Sequence, residues 1–450
     1  MTAILANLTD RYHRADRRLH PGPSWPQHSA GAYLGFGDRD PVFTGPEHAA
    51  LIIGPPRSGK TTAIIIPALA VWPGPAVITS TKPDILTVTT PLRRRAGTVW
   101  AWDPTGDLAL PDGVTPLRWS PLAGCANWDT AIDRAHALVT AARPQPSADS
   151  IHWTERAQAL LDPLLHAAAI NARPFAQVIE WLQRRETFHV YDLLAVHPRS
   201  ATAANLLTGI TATDPREQSG IWSTADSVLA AYRHPATLAA TETPNFDPVA
   251  FAHSTDTLHL VAPATAHAQH APLVCALLDQ IRAAVNKRGT NRPPILWALD
   301  ELANIAPLPN LPAIVADSGA QGLLILAALQ DLSQARARWG PAADGFLTLF
   351  ATTIILPGVA DPPTLRTITT LAGQVDRPLV SRTKTGILSG STTTSTRKEP
   401  LLPESVIAHG RPGHALHLQA THPTWLCLTP WHTTPGLTQL LHPDRQGQPR

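Results

Sequence analysis

Short apolar runs alternate with segments of helical periodicity along most of the chain. Three apolar runs predict buried strands: AALIIG, which begins at residue 49, then PAVITSTK and GTVWAWDP. The segment TTAIIIPALAVW predicts the helix between the first two strands. Strand patterns return at 256–263, 294–302, 322–330 and 349–358. Strands that alternate with helices predict an α/β fold with a doubly wound, mostly parallel sheet.

The middle of the chain has a different pattern. From Trp128 to about Ala231 strand-like runs nearly vanish, and apolar residues recur at the helical period. One such face contains Trp153, Ala157, Leu160, Leu161, Leu164, Leu165 and Ala168. We therefore predict an all-α subdomain at 123–235, inserted into a core domain made of 46–122 and 236–435. Pro163 is expected to kink the helix that contains this face.

Three segments fall outside this pattern. Residues 1–45 are polar and rich in Pro and Gly, which predicts an N-terminal arm or an edge hairpin. Residues 381–400 are rich in Ser, Thr and Gly and predict a mobile loop. Residues 436–450 are expected to form a flexible tail.

Composition narrows the class of protein. The 450 residues are 44% hydrophobic and 16% charged, which excludes wholesale disorder. The net charge is only +2, so any site for a polyanion must be local. The three cysteines are far apart and predict reduced thiols and a cytoplasmic location. No apolar run reaches the roughly 20 residues of a membrane span, so we expect no transmembrane segment.

A phosphate-binding motif follows the first core strand. Residues 54–61 read GPPRSGKT, which matches the G-x4-GK[ST] pattern between a strand and a helix. Backbone N–H groups of such a loop point at phosphate oxygens, the lysine contacts the β and γ phosphates, and the hydroxyl binds Mg²⁺. The motif predicts a site for ATP and Mg²⁺. Its residues are Gly54, Pro55, Pro56, Arg57, Ser58, Gly59, Lys60, Thr61 and Thr62.

Three polar residues at strand ends complete the predicted site. Asp300 and Glu301 follow the run ILWAL. Asp300 is predicted to hold Mg²⁺ with Thr61, and Glu301 to orient and deprotonate the attacking water. Gln330 ends a later strand and is predicted to sense the γ-phosphate. For each residue, the alternative is an ordinary polar residue at the end of a strand.

Several segments resemble, in chain order, the VirD4/TraG family of type IV coupling proteins. They are GPEHAALIIGPPRSGKTT, STKPDI with RRRAGTVWAWDP, the stretch DELANIAPLPNLPAIVADSGAQGLLILAALQDLSQARARWG, and LLPESVIAHGRPGHALHLQATHP. The likeness covers about residues 40–440. It implies a hexameric, RecA-like P-loop ATPase that moves DNA or protein substrates to a type IV secretion channel. The helical insertion would then help to recognise the relaxosome.

The chain departs from this family in two respects. Most members begin with two transmembrane helices, whereas this sequence reaches its phosphate-binding loop at residue 54 without an apolar run of that length. Membrane contact is therefore expected only through a partner, at the inner face of the membrane. Many members also have an arginine that acts on the neighbouring subunit's nucleotide, where this chain reads Ser318-Gly-Ala-Gln321. Arg336, Arg338 or Arg366 could substitute for it, although an ordinary salt-bridged or solvated arginine is the favoured interpretation of each.

Two further clusters have open roles. The arginines at 93–95 are candidates for contact with DNA phosphates or form a solvated helix face. Lys82 with Asp84 matches a family position or forms a structural ion pair.

These features predict an ATP-driven DNA translocase of a conjugative type IV secretion system. One alternative is a nucleotide-binding substrate adaptor that does not pump DNA. Another is a soluble DNA-processing ATPase of the FtsK/HerA kind.

Overall fold

A twelve-stranded mixed sheet forms the centre of the computed structural model, which describes residues 31–37, 40–45, 47–142, 148–286, 293–384 and 390–442. The strand order is β2-β1-β14-β13-β10-β3-β9-β8-β4-β7-β5-β6, and β11 and β12 form a separate ribbon. The strands are β1 (Tyr33–Phe36), β2 (Pro41–Phe43), β3 (Ala50–Ile53), β4 (Ala76–Ser80), β5 (Val99–Trp102), β6 (Val114–Pro116), β7 (Thr257–Val261), β8 (Ile295–Leu299), β9 (Leu323–Leu329), β10 (Thr352–Ile355), β11 (Gln374–Lys384), β12 (Gly390–Pro400), β13 (His414–Gln419) and β14 (His422–Cys427).

Every pairing from β10 to β6 along the sheet is parallel, and every pairing from β2 to β10 is antiparallel. The parallel strands have apolar residues on both faces because helices cover both sides of the sheet. In β3, for example, Leu51 and Ile53 belong to one apolar cluster and Ala50 and Ile52 to the other. The predicted α/β class with a mostly parallel sheet is confirmed.

The helices connect these strands and cover the sheet. They are Ile66–Val71, Asp84–Arg93, Trp128–Ala142, Ala148–Ile170, Phe175–Arg184, Thr187–Ala195, Ala201–Thr211, Pro215–Val228, Pro235–Ala239, Pro248–Ala252, His267–Val285, Leu302–Ile305, Leu311–Ser318, Leu332–Trp339, Phe346–Leu349, Pro362–Ala372, Glu404–His409 and Pro435–Leu441. Among the described residues, none of them combines the length and the apolar character needed to cross a membrane.

The helical segment lies between β6 and β7, and the predicted boundaries at 123 and 235 stay predictions. Its longest helix, Ala148–Ile170, continues through Pro163 and buries Leu160, Leu161 and Leu164. This helix packs against Trp128–Ala142, which in turn packs against His267–Val285 beside the sheet. The helical segment therefore shares one apolar cluster with a face of the sheet.

Two of the three peripheral predictions need correction. For residues 1–45 the structure shows the edge-hairpin alternative, formed by β1 and β2 with Tyr33 buried, while residues 1–30 lie outside the described residues. The predicted mobile loop at 381–400 lies largely in the ribbon β11–β12, whose many Thr residues favour extended backbone; residues 385–389 lie outside the described residues. The predicted tail at 436–450 includes most of helix Pro435–Leu441, which is ordered because Leu437 and Leu441 are fully buried; residues 443–450 lie outside the described residues.

Candidate nucleotide-binding site

The phosphate-binding loop connects β3 to the helical turn that begins at Thr61. Gly59 has a φ of +97°, a conformation that favours glycine. Gly54 allows close packing, because a Cβ there would lie 2.7 Å from Ser58 Oγ and 3.0 Å from Leu356. Arg57 adopts a φ of +63°, which is strained for a non-glycine residue and is typical of functional loops.

Lys60 lies buried beneath this loop. Its Nζ donates hydrogen bonds to the carbonyl oxygens of Gly54, at 2.5 Å, and Pro55, at 3.0 Å. Burial lowers the pKa of the lysine, and the nearby carboxylates of Asp300 and Glu301 act in the opposite direction. The loop thus holds a positive charge among its own carbonyl groups, where it can contact phosphate.

Asp300 follows β8 and links this strand to the loop. Thr61 Oγ1 donates to Asp300 Oδ2 at 2.7 Å, and Thr79 Oγ1 donates to the Asp300 carbonyl oxygen at 2.7 Å. Burial raises the pKa of the Asp300 carboxyl, while the Thr61 hydrogen bond lowers it. Asp300 Oδ1 is buried and has no hydrogen-bond partner among the residues that the structure describes.

This unpaired oxygen of Asp300 is a candidate ligand for Mg²⁺. A buried carboxylate oxygen without a partner is costly unless a donor or a cation satisfies it. A hydroxyl and a carboxylate are the hard oxygen ligands that Mg²⁺ prefers, and the cation usually keeps several waters besides. The Thr61–Asp300 pair therefore fits a magnesium site.

Glu301 is held in an unusual backbone conformation beside Asp300. Its φ of +56° and ψ of +44° are left-handed, and it precedes helix Leu302–Ile305. Asn304 Nδ2 donates to Glu301 Oε2 at 3.0 Å. This strained conformation has a cost of about 1 kcal/mol or more and is typical of active sites.

One cavity of about 790 Å³ brings most predicted residues together. It is lined by Pro56, Arg57, Ser58, Gly59, Lys60, Thr61, Thr62, Ile66, Ser80, Thr81, Lys82, Asp84, Ile85, Thr87, Val88, Asp300, Glu301, Trp431 and His432. Gln330 is not part of this lining. It follows β9 beside the start of the loop, where Gly54 N donates to Leu329 O at 3.1 Å, and its own N–H donates to Gln334 Oε1 at 2.9 Å.

The sequence did not indicate that the region after β4 and the C-terminal segment would share this cavity. Trp431 and His432 reach it because the Trp431 N–H donates to the Thr62 carbonyl oxygen at 3.0 Å. Lys82 and Asp84 both line the cavity and are exposed, and no ion pair between them occurs within the described residues. No motif connects these distant segments, so only the tertiary structure reveals them.

The basic candidates differ in environment. Arg93 is buried and donates to the carbonyl oxygens of Trp72 at 2.5 Å and Gly74 at 2.7 Å, so it is structural and unavailable to DNA, whereas Arg94 and Arg95 are exposed.

The three arginines considered for action on a neighbour also differ. Arg336 forms a 2.7 Å ion pair with Asp361. Arg338 donates to the Ala141 carbonyl oxygen at 3.5 Å, and burial lowers its pKa. Arg366 is exposed on helix Pro362–Ala372.

The family is decided by a match over most of the chain. Residues 8–424 match the model of the type IV secretory system conjugative DNA transfer family. The chain belongs to this family. Two conjugal transfer TraG proteins of Escherichia coli are 28% identical over 353 residues and 26% identical over 349 residues. These alignments cover 70% and 69% of the chain, which spans about half (54% and 53%) of each relative.

Solved coupling proteins share the fold of this family member. The bacterial conjugative coupling protein TrwBdeltaN70 in its unbound form has a TM-score of 0.68 and 17% identity, with 88% of this chain and 89% of that chain covered. TrwB in complex with ADP and Mg²⁺ has a TM-score of 0.66 and 16% identity, with 89% of each chain covered. The likeness confirms the predicted RecA-like coupling-protein fold.

Proposed function

We propose that this protein is an ATP-hydrolysing coupling protein that moves DNA to a type IV secretion channel during conjugative transfer. The observation that carries the proposal is the Thr61–Asp300 hydrogen bond, which joins the phosphate-binding loop to an acidic strand end in one cavity. Membership of the conjugative DNA transfer family supports the DNA substrate, and the TrwB complex with ADP and Mg²⁺ supports the ligands.

Each residue has a definite task in this proposal. The N–H groups of residues 57–62 and the Lys60 ammonium bind the phosphate chain, for which Lys60 Nζ leaves the Gly54 and Pro55 carbonyls. Thr61 and Asp300 would hold Mg²⁺, which neutralises charge on the β and γ phosphate oxygens when bound. Glu301 orients a water molecule and accepts its proton. Gln330 senses the γ-phosphate from the end of β9.

The remaining partners follow from the same proposal. The chain assembles as a homo-hexamer, receives DNA with its relaxase from the relaxosome, and contacts the membrane through a partner at its cytoplasmic face. A net charge of +2 is compatible with DNA because a central channel needs basic groups only along its wall.

Two substitutions test the catalytic assignment. We expect Lys60→Ala to abolish ATP binding in isothermal titration, and Glu301→Gln to bind Mg·ATP but to release no phosphate. Lys398→Ala and Glu404→Gln, at exposed positions outside the cavity, are the matched controls. Normal turnover by Glu301→Gln would refute the assignment of the base.

A substrate adaptor without pumping activity is a second candidate, because Arg336 is paired with Asp361 and Arg338 is partly buried. Phosphate release with and without single- and double-stranded DNA, combined with light scattering, separates the two functions. A motor assembles and is stimulated by DNA, whereas a persistent monomer without stimulation would support the adaptor. The match to the conjugative DNA transfer family argues against the FtsK/HerA alternative.

A further inference from the structure

Part of the cavity extends beyond the groups that the proposed chemistry uses. It continues from the phosphate-binding loop past Ile66 to helix Asp84–Arg93 and to the C-terminal segment at Trp431. A volume of about 790 Å³ is typical of a site for a whole drug-sized ligand rather than for a phosphate chain alone. This second part is large enough to hold a further group of the same ligand.

The lining of this second part is mixed in polarity. Ile66, Ile85 and Val88 contribute apolar side chains, while Asp84 and Thr87 are exposed polar residues on the same helix. An apolar wall with a few polar groups is what binds a flat heteroaromatic ring.

The position of Trp431 is fixed by an irregularity in the helix after the loop. Residues Thr61–Ile65 form a π-helical turn in which the Ile66 N–H bonds to the Thr61 carbonyl oxygen. The next partner in this register would be Pro67, which has no N–H. The Thr62 carbonyl is thus left without a helical donor, and the Trp431 N–H bonds to it at 3.0 Å.

A second hydrogen bond and a ring contact hold the segment from its other side. Thr438 Oγ1 donates to the Trp431 carbonyl oxygen at 2.7 Å, and the Trp431 ring lies 5.4 Å from the His442 ring between centroids. The indole is only partly buried and lines the cavity. The backbone of Trp431 is therefore anchored while part of its ring stays accessible.

We propose that this part of the cavity binds the purine base of the nucleotide and that the Trp431 ring is its stacking wall. The inference rests on the proposed function, since it assigns the nucleoside end of the same ligand. Stacking on an aromatic ring contributes about 1–3 kcal/mol per base and tolerates different bases. The proposal therefore predicts that Trp431 raises the affinity for ligands that carry a base, although its side chain contacts no phosphate.

Inorganic tripolyphosphate provides a probe without a base. We expect Trp431→Ala to weaken Mg·ATP binding about tenfold in isothermal titration and to leave tripolyphosphate binding within about twofold. Trp431→Phe, which keeps an aromatic ring, should retain most of the ATP affinity. Phe188→Ala, at a side chain that is 79% exposed in the helical segment, is the control for loss of an aromatic residue.

Two outcomes would overturn the inference. An equal loss for ATP and tripolyphosphate would show that Trp431 only supports the helix after the loop, and unchanged affinity for both would exclude contact with the base. If Trp431→Ala does not fold, the binding of Mg·ATP and of tripolyphosphate is measured with Trp431→Leu instead, and the same outcomes apply. Lys60→Ala should lose both ligands, and its failure to do so would contradict the proposed function independently of Trp431.

Discussion

Thr61 Oγ1 donates a 2.7 Å hydrogen bond to Asp300 Oδ2, although 239 residues separate the two in the chain. The contact forms because β3 and β8 are parallel strands with only β9 between them, so their carboxyl ends meet at one edge of the sheet. The hydroxyl and the carboxylate that a magnesium ion would bind are already adjacent.

Removal of the Thr61 hydroxyl should impair the response to magnesium. Thr61→Ala takes away one proposed metal ligand and the hydrogen bond to Asp300, whereas Thr61→Ser keeps both. We expect the Mg²⁺ concentration for half-maximal ATPase activity to rise at least about tenfold in Thr61→Ala and to change little in Thr61→Ser. Equal magnesium dependence of the two variants would contradict the assignment.

Magnesium-dependent binding should also depend on pH through Asp300. Burial raises the pKa of its carboxyl, so the side chain takes up a proton at a higher pH than an exposed aspartate does. Because the cation needs the ionised form, affinity for Mg·ADP should fall as pH decreases through this raised pKa. The same titration of Asp300→Asn should lack this step. A wild-type protein with the same pH profile as the variant would argue against Asp300 as a ligand.

Arg93 should contribute to stability rather than to DNA binding. Besides its bonds to Trp72 and Gly74, it donates to Thr257 Oγ1 at 2.7 Å. Arg93→Ala leaves these buried acceptors unpaired, and we expect urea denaturation to show a loss of about 3 kcal/mol or more. The exposed Arg94→Ala should leave stability nearly unchanged. Similar stability of the two variants would refute the structural role.

Asp162 should make the stability of the helical segment dependent on pH. The residue is 5% exposed, and burial raises the pKa of its carboxyl from 3.8 to about 7. Its contribution is therefore most favourable below about pH 4, declines as pH rises to about 7, and is constant above that value. We expect Asp162→Asn to raise the free energy of unfolding by about 2 kcal/mol at pH 8 and by little at pH 4.

The exposed Asp192→Asn on helix Thr187–Ala195 is the control for Asp162. This substitution removes the same carboxylate charge, but from an exposed position instead of a buried one. Equal effects of the two substitutions at both pH values would show that burial of Asp162 is not the cause.

Arg366 is the candidate for action on a neighbouring subunit, since Arg336 is paired and Arg338 is partly buried. We expect Arg366→Ala to lower kcat by about 10³-fold without changing ATP affinity. Mixed with Glu301→Gln, it should regain activity, because some interfaces then combine an intact Glu301 with an intact Arg366 from the adjacent chain. A mixture that stays inactive would exclude this role.

Local patterns predicted the centre of the fold and most of the site. The runs around Leu51, Leu296 and Leu326 are apolar on both faces because their strands are buried in the sheet, and the glycines and lysine of the loop have a fixed spacing. The apolar run ILWAL also predicted that Asp300 would lie at the end of a strand.

Features that depend on distant contacts were not predicted. The pairing of β1 with β14 joins two distant segments, and the place of Trp431 depends on a carbonyl left free by Pro67. Most of the segment 381–400 lies in the ribbon β11–β12, but it was predicted to be a mobile loop from its composition alone, although threonine also favours strands. The left-handed backbone of Glu301 has no sequence signature either.

The hydrogen bond between Trp431 and Thr62 has a consequence for biosynthesis. The phosphate-binding loop leaves the ribosome before both partners, because Asp300 lies 239 residues after Thr61 and Trp431 follows later still. At about 5–20 residues per second, the nascent loop waits tens of seconds for its partners. The loop, Asp300 and Trp431 can thus meet in one cavity only after residue 431 has been made, and a chain that stalls after Asp300 still leaves the Thr62 carbonyl without its partner.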